Sequence, residues 1–286
     1  MSATPLRDAI THAHRQRQPL VMGVLNVTPD SFSDGGEHAA KDDAVAHALS
    51  MLEAGASIID VGGESTRPGA APVTLDEELQ RVIPVIEALR TQTSGFISVD
   101  TSKPEVMAQA IQAGADLVND VNALQAPGAV DVVAQAGVPA VLMHMQGQPE
   151  NMQDQPSYDD VLSEVSDFLI DRVRACQRGG IDEACLVLDP GFGFGKKLAH
   201  NVALLRGLAQ IVDLGLPVLA GLSRKSMLGT LTGRQAPEAR VSASVAAALL
   251  ASQAGAAILR VHDVGPTMDA LKVWLALSDS AFHQPH

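Results

Sequence analysis

Glu53-Ala-Gly-Ala-Ser57, Gln112-Ala-Gly-Ala-Asp116, Gln135-Ala-Gly-Val138 and Gln253-Ala-Gly-Ala-Ala257 are four versions of one junction. Each closes an Ala-rich amphipathic stretch, passes through a glycine and enters a short apolar run. Glycine suits that place because the residue after a helix commonly takes a left-handed conformation that a Cβ disfavours. The run that follows is too short for a helix and rich in β-branched residues, which marks a strand.

Working outward from these junctions, strands are expected at 20–25, 57–61, 96–99, 117–118, 140–143, 185–188, 217–220 and 257–261. Continuous apolar runs of this kind suit strands covered on both faces, as in a parallel sheet. Helices are expected at 41–54, 76–90, 104–113, 129–136, 157–178, 198–210, 240–254 and 265–277. Asp76, Glu77 and Glu78 favour a helix N-terminus, and Pro104 suits a first turn. A βα unit of about 30 residues, repeated eight times, predicts an α/β fold of the (β/α)8 TIM-barrel type. An open doubly wound sheet is the alternative, but no GxGxxG turn follows the first strand. A single domain over 19–280 is expected, with residues 1–18 as a short N-terminal extension outside the barrel.

Barrel enzymes place their chemistry at the C-terminal ends of the strands. Here the strand ends carry Asn26, Asp60, Asp100, Asn119 with Asp120, His144, Asp189, the Ser223-Arg224-Lys225 group, and Arg260 with His262. Any one of these is more often a helix cap or a satisfied polar group. Their convergence on one face points to a catalytic cup. Asp100, Asn119 and Asp189 offer buried acceptors for a heterocycle bearing N–H donors. Arg67, Lys225, Arg260 and His262 offer donors for an anionic group. Asn26 and the carboxylates are oxygen ligands of the sort Mg2+ prefers.

Composition bounds the rest. With 286 residues, 46% hydrophobic and 19% charged, the chain can bury a large core. A net charge of −13 argues against nucleic-acid or anionic-membrane partners, and aromatics at 3% argue against base-stacking surfaces. No run is long enough to span a bilayer, and the polar start lacks the apolar stretch of a secretion signal. Cys176 and Cys185 lack metal-site spacing and read as reduced thiols, so a cytoplasmic setting is expected. Gly191-Phe-Gly-Phe-Gly195-Lys196 looks at first like a phosphate loop. Lys197 stands where a Walker A needs Ser or Thr, so ATP binding is not expected.

Two longer motifs carry a family likeness. Leu25-Asn-Val-Thr-Pro-Asp-Ser-Phe-Ser-Asp-Gly-Gly36 and Asp60-Val-Gly-Gly-Glu-Ser-Thr-Arg-Pro-Gly69 resemble the signatures of dihydropteroate synthases. Ser98-Val-Asp-Thr101, Asn119-Asp120, Met143-His-Met-Gln-Gly147, Asp189-Pro-Gly-Phe-Gly-Phe-Gly195, Gly221-Leu-Ser-Arg-Lys-Ser226 and Arg260-Val-His262 are similar to the remaining motifs, in order. The likeness runs from about residue 20 to about residue 275. It implies condensation of 4-aminobenzoate with the diphosphate of 6-hydroxymethyl-7,8-dihydropterin, releasing pyrophosphate. It places the pterin on Asp100, Asn119, Asp189 and Lys225. It places the diphosphate on Asn26, Thr66, Arg67, Arg260 and His262, with Mg2+ near Asn26. Phe32, Pro68, Phe194, Ser223 and the Lys225 stem would surround the aminobenzoate. Asp34 would help stabilise a cationic pterin methylene, and no covalent nucleophile is required. A homodimer and competition by sulfonamides are further implications.

Three rivals remain at this stage. A pterin-binding methyltransferase domain would share Asp100, Asn119 and Asp189 but would not need Arg67, Arg260 and His262 as a clamp. A Schiff-base aldolase using Lys225 would be trapped by borohydride. A non-catalytic pterin-binding protein would release no pyrophosphate.

Overall fold

A computed structural model describes residues 5–27, 36–65, 72–148 and 151–278. Within them lie eight strands: β1 (Leu20–Asn26), β2 (Ile58–Gly62), β3 (Phe96–Asp100), β4 (Leu117–Asp120), β5 (Ala140–Met143), β6 (Leu186–Asp189), β7 (Leu219–Ala220) and β8 (Ile258–Val261). All pair in parallel, in the order β6-β5-β4-β3-β2-β1-β8-β7. A parallel bridge between Leu188 and Val218 brings the two edges together, and the sheet closes into the expected (β/α)8 barrel. The helices are α1 (Pro5–Gln16), α2 (Gly36–Glu53), α3 (Leu75–Gln92), α4 (Pro104–Ala113), α5 (Ala129–Ala136), α6 (Val161–Arg178), α7 (Leu198–Arg206), α8 (Leu208–Val212), α9 (Ser226–Thr232), α10 (Val241–Gln253) and α11 (Val264–Ser278).

The junction glycines behave as their spacing predicts. Gly55, Gly114, Gly137 and Gly255 all take positive φ, between 67° and 114°. Capping sets other boundaries. Thr74 and Glu77 form a reciprocal capping box at the start of α3. The Asp160 carboxylate accepts from the Leu162 and Ser163 amides, so α6 begins later than residue 157.

Besides the later start of α6 and the unexpected short helix α9, three further differences from expectation bear on packing. The helix expected at 198–210 divides at Gly207, where a Cβ would lie 2.4 Å from Leu162 Cδ1. The seventh strand shrinks to two residues: Pro217 has no N–H to give, although its carbonyl accepts from the Leu188 amide at 2.9 Å. The correction with most consequence concerns residues 1–18, read as an extension outside the barrel. Residues 5–16 form α1, and Leu6 and Ile10, at 0% and 2% exposure, join the inward-facing Met22, Ile58, Leu117, Val141, Val187, Leu219 and Ile258 in one apolar cluster. The helix plugs the barrel at the end away from the polar strand termini. Leu6→Ala should therefore cost about 2–5 kcal/mol, as other buried Leu truncations do. Chemical denaturation would show it, and a loss below about 1 kcal/mol would mean α1 is dispensable to the core. Among the described residues no helix is long and apolar enough to cross a membrane.

Candidate active site

Side chains alternate across a strand, so a residue and the one two places on share a face. Moving two residues toward the C-terminus from the apolar inner layer turns Ile58 into Asp60, Leu117 into Asn119, Val187 into Asp189 and Ile258 into Arg260. The barrel interior thus changes from a dry plug to a polar cup over about 7 Å of strand. A cleft at this level is lined by Asp100, Asn119, Asp189, Phe194, Lys225 and Arg260, all six of them expected site residues.

The centre of the network is Asp60, which is 0% exposed. Its Oδ1 accepts from the Ser98 hydroxyl at 2.6 Å. Its Oδ2 accepts from Asn119 Nδ2 at 3.0 Å and from Arg260 Nε at 2.6 Å. Arg260 Nη2 donates in turn to Asp100 Oδ2 at 2.7 Å. One guanidinium therefore bridges two carboxylates, and the Asn119 amide is oriented by the same Asp60. In the sequence Asp60 stands out only as a strand end, not as a site residue. The available signal was an acid inside the apolar run Ile58-Ile59-Asp60-Val61, on the same face as Ile58.

Burial shapes the titration of the acceptors. It pushes the Asp100 carboxyl up to about 7; Arg260 opposes the shift, while Asp60, Asp120 and Glu78 reinforce it. Burial likewise raises Asp189 to about 6, opposed by the Gly191 amide, which donates to its Oδ1 at 2.7 Å, and by Lys225, Lys196 and Arg260. His262 is pushed down to about 3 by burial and by the guanidinium groups of Arg260 and Arg224. It is a neutral imidazole at pH 7.

The wall beyond β7 and β8 is equally ordered. The Ser223 hydroxyl accepts from the His262 amide and lies 3.1 Å from His262 Nδ1. With Ser223 donating to Nδ1, the neutral ring carries its proton on Nε2. Ser223, expected near the aminobenzoate carboxylate, is 6% exposed, and its hydroxyl meets His262. Arg224, at a φ of 60°, forms a two-point ion pair with Asp263 at 3.0 and 2.6 Å, tying the loop after β7 to the loop after β8. Lys225 Nζ lies 4.1 Å from the centroid of the Phe194 ring. Arg260, expected on a diphosphate, has its guanidinium turned onto Asp60 and Asp100.

Phe32, Asp34, Thr66, Arg67 and Pro68 lie outside the described residues. Asn26 ends β1, opposite Gly62 of β2, and its side chain has no hydrogen-bond partner among the described residues. No group of three His, Cys, Asp or Glu among the described residues could hold an ion alone. A lone amide oxygen at the rim fits Mg2+ that takes most of its shell from phosphate oxygens and water, the usual habit of that ion.

Comparison with known proteins agrees with this geometry. A sequence model of the family described as pterin binding enzyme matches residues 22–262. The dihydropteroate synthase of Escherichia coli (strain K12) is 54% identical over 255 residues, covering 89% of this chain and 90% of that protein. The Xanthomonas albilineans dihydropteroate synthase with 4-aminobenzoic acid superposes with a TM-score of 0.87 at 59% identity, covering 91% of this chain and 93% of that one. The enzyme from the same organism in complex with 7,8-dihydropteroate gives 0.84 at 56% identity, with 91% and 94% covered. A polar cup at the correct end of the barrel, built on a sequence this similar from Met22 to His262, means that the chain belongs to the dihydropteroate synthases of the pterin-binding enzyme family.

Proposed function

We propose that this chain is a dihydropteroate synthase, joining 4-aminobenzoate to the methylene of a dihydropterin diphosphate and releasing pyrophosphate. The observation that carries this is the convergence of Asp100, Asn119 and Asp189 with Phe194 and Lys225 around one cleft. Two relatives of the same fold, solved with 4-aminobenzoic acid and with 7,8-dihydropteroate, support the choice of substrates.

In this reading Asp189, Asn119 and Asp100 accept hydrogen bonds from the pterin N–H groups, and Lys225 donates to the ring from above. Asp60 keeps Arg260 and Asn119 in register beneath it. The methylene C–O bond breaks with its electron pair leaving on pyrophosphate, the amine nitrogen forms the new C–N bond, and its proton passes to solvent. His262 Nε2–H and Arg67 donate to the departing diphosphate, and Asp34 offsets charge growing on the pterin. Phe194, Phe32 and Pro68 hold the arylamine ring, so its nitrogen meets the methylene before water does. Mg2+, when bound near Asn26, would neutralise part of the diphosphate charge.

The direct test is pyrophosphate release from the dihydropterin diphosphate, with and without 4-aminobenzoate, in Mg2+ and in chelator. Dihydropteroate formed only with the arylamine and the metal is the expected result. Tight pterin binding without release would overturn it. Sulfonamides should raise the KM for 4-aminobenzoate without lowering kcat; full turnover at saturating drug and low aminobenzoate would count against the proposed arylamine site.

A pH dependence follows from the buried acceptors. Asp189 and Asp100 accept as carboxylates, and their values stand at about 6 and about 7. Protonation removes the acceptor, so kcat/KM for the pterin diphosphate should rise with pH through this range and level off above it. A flat profile from pH 5 to 8 would show that neither carboxylate titrates in the free enzyme.

A homodimer accords with large apolar residues left exposed on α9, α10 and α11: Leu231 at 58%, Leu250 at 54% and Val273 at 64%. Light scattering would decide it. Two free, buried cysteines suit a cytoplasmic setting.

A further inference from the structure

The glycine-rich run that only superficially resembles a phosphate loop has its lysine turned inward. Lys196 is 3% exposed. Its Nζ lies 2.9 Å from His144 Nδ1, 3.2 Å from the His144 carbonyl oxygen, 3.0 Å from that of Gly191 and 3.0 Å from that of Phe194. An ammonium has three hydrogens, so four acceptors at these distances satisfy it completely. Burial and the nearby Lys196 charge push His144 down to about 3, so its ring is neutral and Nδ1 is free to accept. Burial draws Lys196 down to about 7, countered by the Asp189 carboxylate, but three carbonyl oxygens that can only accept favour the ammonium over an amine with two hydrogens.

The cage spans two loops. His144 follows β5, whereas Gly191 and Phe194 belong to the loop after β6. Asn201 of α7 braces the other side, accepting from the Gly193 amide at 2.7 Å and donating to the Lys196 carbonyl at 3.0 Å. Asp189 and Phe194 depend on this loop to different degrees. Asp189 sits on β6, paired with Met143, and its carbonyl accepts from the His144 amide at 2.9 Å. The sheet therefore holds Asp189 whatever the loop does. Phe194 lies outside the sheet, and its carbonyl is bound to Lys196 itself.

We infer that Lys196 is a positioning residue, a tethered internal cation that folds the 190–196 loop onto the His144 segment and so sets the Phe194 ring against Lys225 for the arylamine. No part of Lys196 need touch substrate. The role in arylamine binding rests on the dihydropteroate synthase reading; the role in loop order does not.

The test uses Lys196→Met, which keeps length and removes the cation, with Lys196→Gln as a milder variant should the first fail to fold. Hydrogen exchange of the substrate-free protein reads the loop. Amides of residues 191–195 should exchange at least tenfold faster in either variant, while those of β6 stay protected. Steady-state kinetics reads the site. The KM for 4-aminobenzoate should rise about tenfold or more, that for the pterin diphosphate less than threefold, and kcat should change little. A role in global stability alone would lower the active fraction and leave both KM values unmoved, and that result would overturn the inference. Equal rises in both KM values, or unchanged loop exchange, would also overturn it. A wild-type enzyme that makes no dihydropteroate would refute the functional reading, and the exchange result would still decide whether Lys196 holds the loop.

Discussion

Replacing Asp60 by alanine is expected to destabilise the protein by about 3–5 kcal/mol, the range seen when one partner of a buried ion pair is removed. Three donors converge on this carboxylate: the Ser98 hydroxyl, the Asn119 amide and Arg260 Nε. Alanine leaves all three facing a void. The guanidinium keeps only Asp100, and its side chain is 20% exposed, so water can repair the loss only in part. The same change frees Asn119 and Arg260 to move. Displacement of positioning groups by about 1 Å can cost about 100-fold in rate, so turnover should fall by about two orders of magnitude or more. Chemical denaturation and steady-state turnover measure the two effects separately. Adding Arg260→Met to Asp60→Ala should recover part of the stability, because an unpaired buried cation costs more than none. It should recover none of the activity. A loss below 1 kcal/mol in the single variant would mean that Asp100 alone suffices for Arg260.

Gly191→Ala should be comparably severe, for a steric reason. An added Cβ would stand 1.9 Å from the backbone oxygen of His144, and Gly191 has a φ of 69°. The left-handed conformation alone costs a non-glycine residue about 1–2 kcal/mol. The clash is with backbone, so no side chain can rotate away, and the loop must lift from the His144 segment. Lifting it pulls the Gly191 amide from Asp189 and the Gly191 carbonyl from Lys196. A total above about 4 kcal/mol is expected, which marks the exceptional class of substitutions. Gly215→Ala is the control. It has a φ of 94° and nothing within 4 Å of the added atom, so only the conformational cost of about 1–2 kcal/mol should appear. Equal losses in the two variants would show that the His144 contact yields easily.

Much of the site was legible because strand periodicity and barrel topology together specify where strand ends point. Asp100, Asn119, Asp189, Lys225 and Arg260 were placed on one face from spacing alone, and they line one cleft. Phe194 came instead from the family resemblance, and it lines the same cleft. What could not be read was pairing. Asp60 looked like one strand end among eight, yet it is the anion to which Arg260, Asn119 and Ser98 all bind. Ser223 is expected beside the aminobenzoate from the family resemblance, and nothing in the spacing shows that its hydroxyl also pairs with His262. Lys196 looked like a failed phosphate loop, yet it is an internal cation between two loops. The deciding partner of each is distant in sequence: Asp60 and Arg260 are 200 residues apart, Lys196 and His144 are 52 apart, and Ser223 and His262 are 39 apart.

By itself the sequence determined the α/β repeat, the parallel barrel, the end at which chemistry sits and the family. Those properties follow from local rules: glycine at helix exits, apolar runs at strands and signatures within single loops. Only the tertiary structure decided that the first helix plugs the barrel rather than preceding it. Only the tertiary structure decided which charge neutralises which, and which lysine faces inward. Hydrogen bonds and ion pairs act over about 3 Å, and only folding brings distant segments of the chain within that reach.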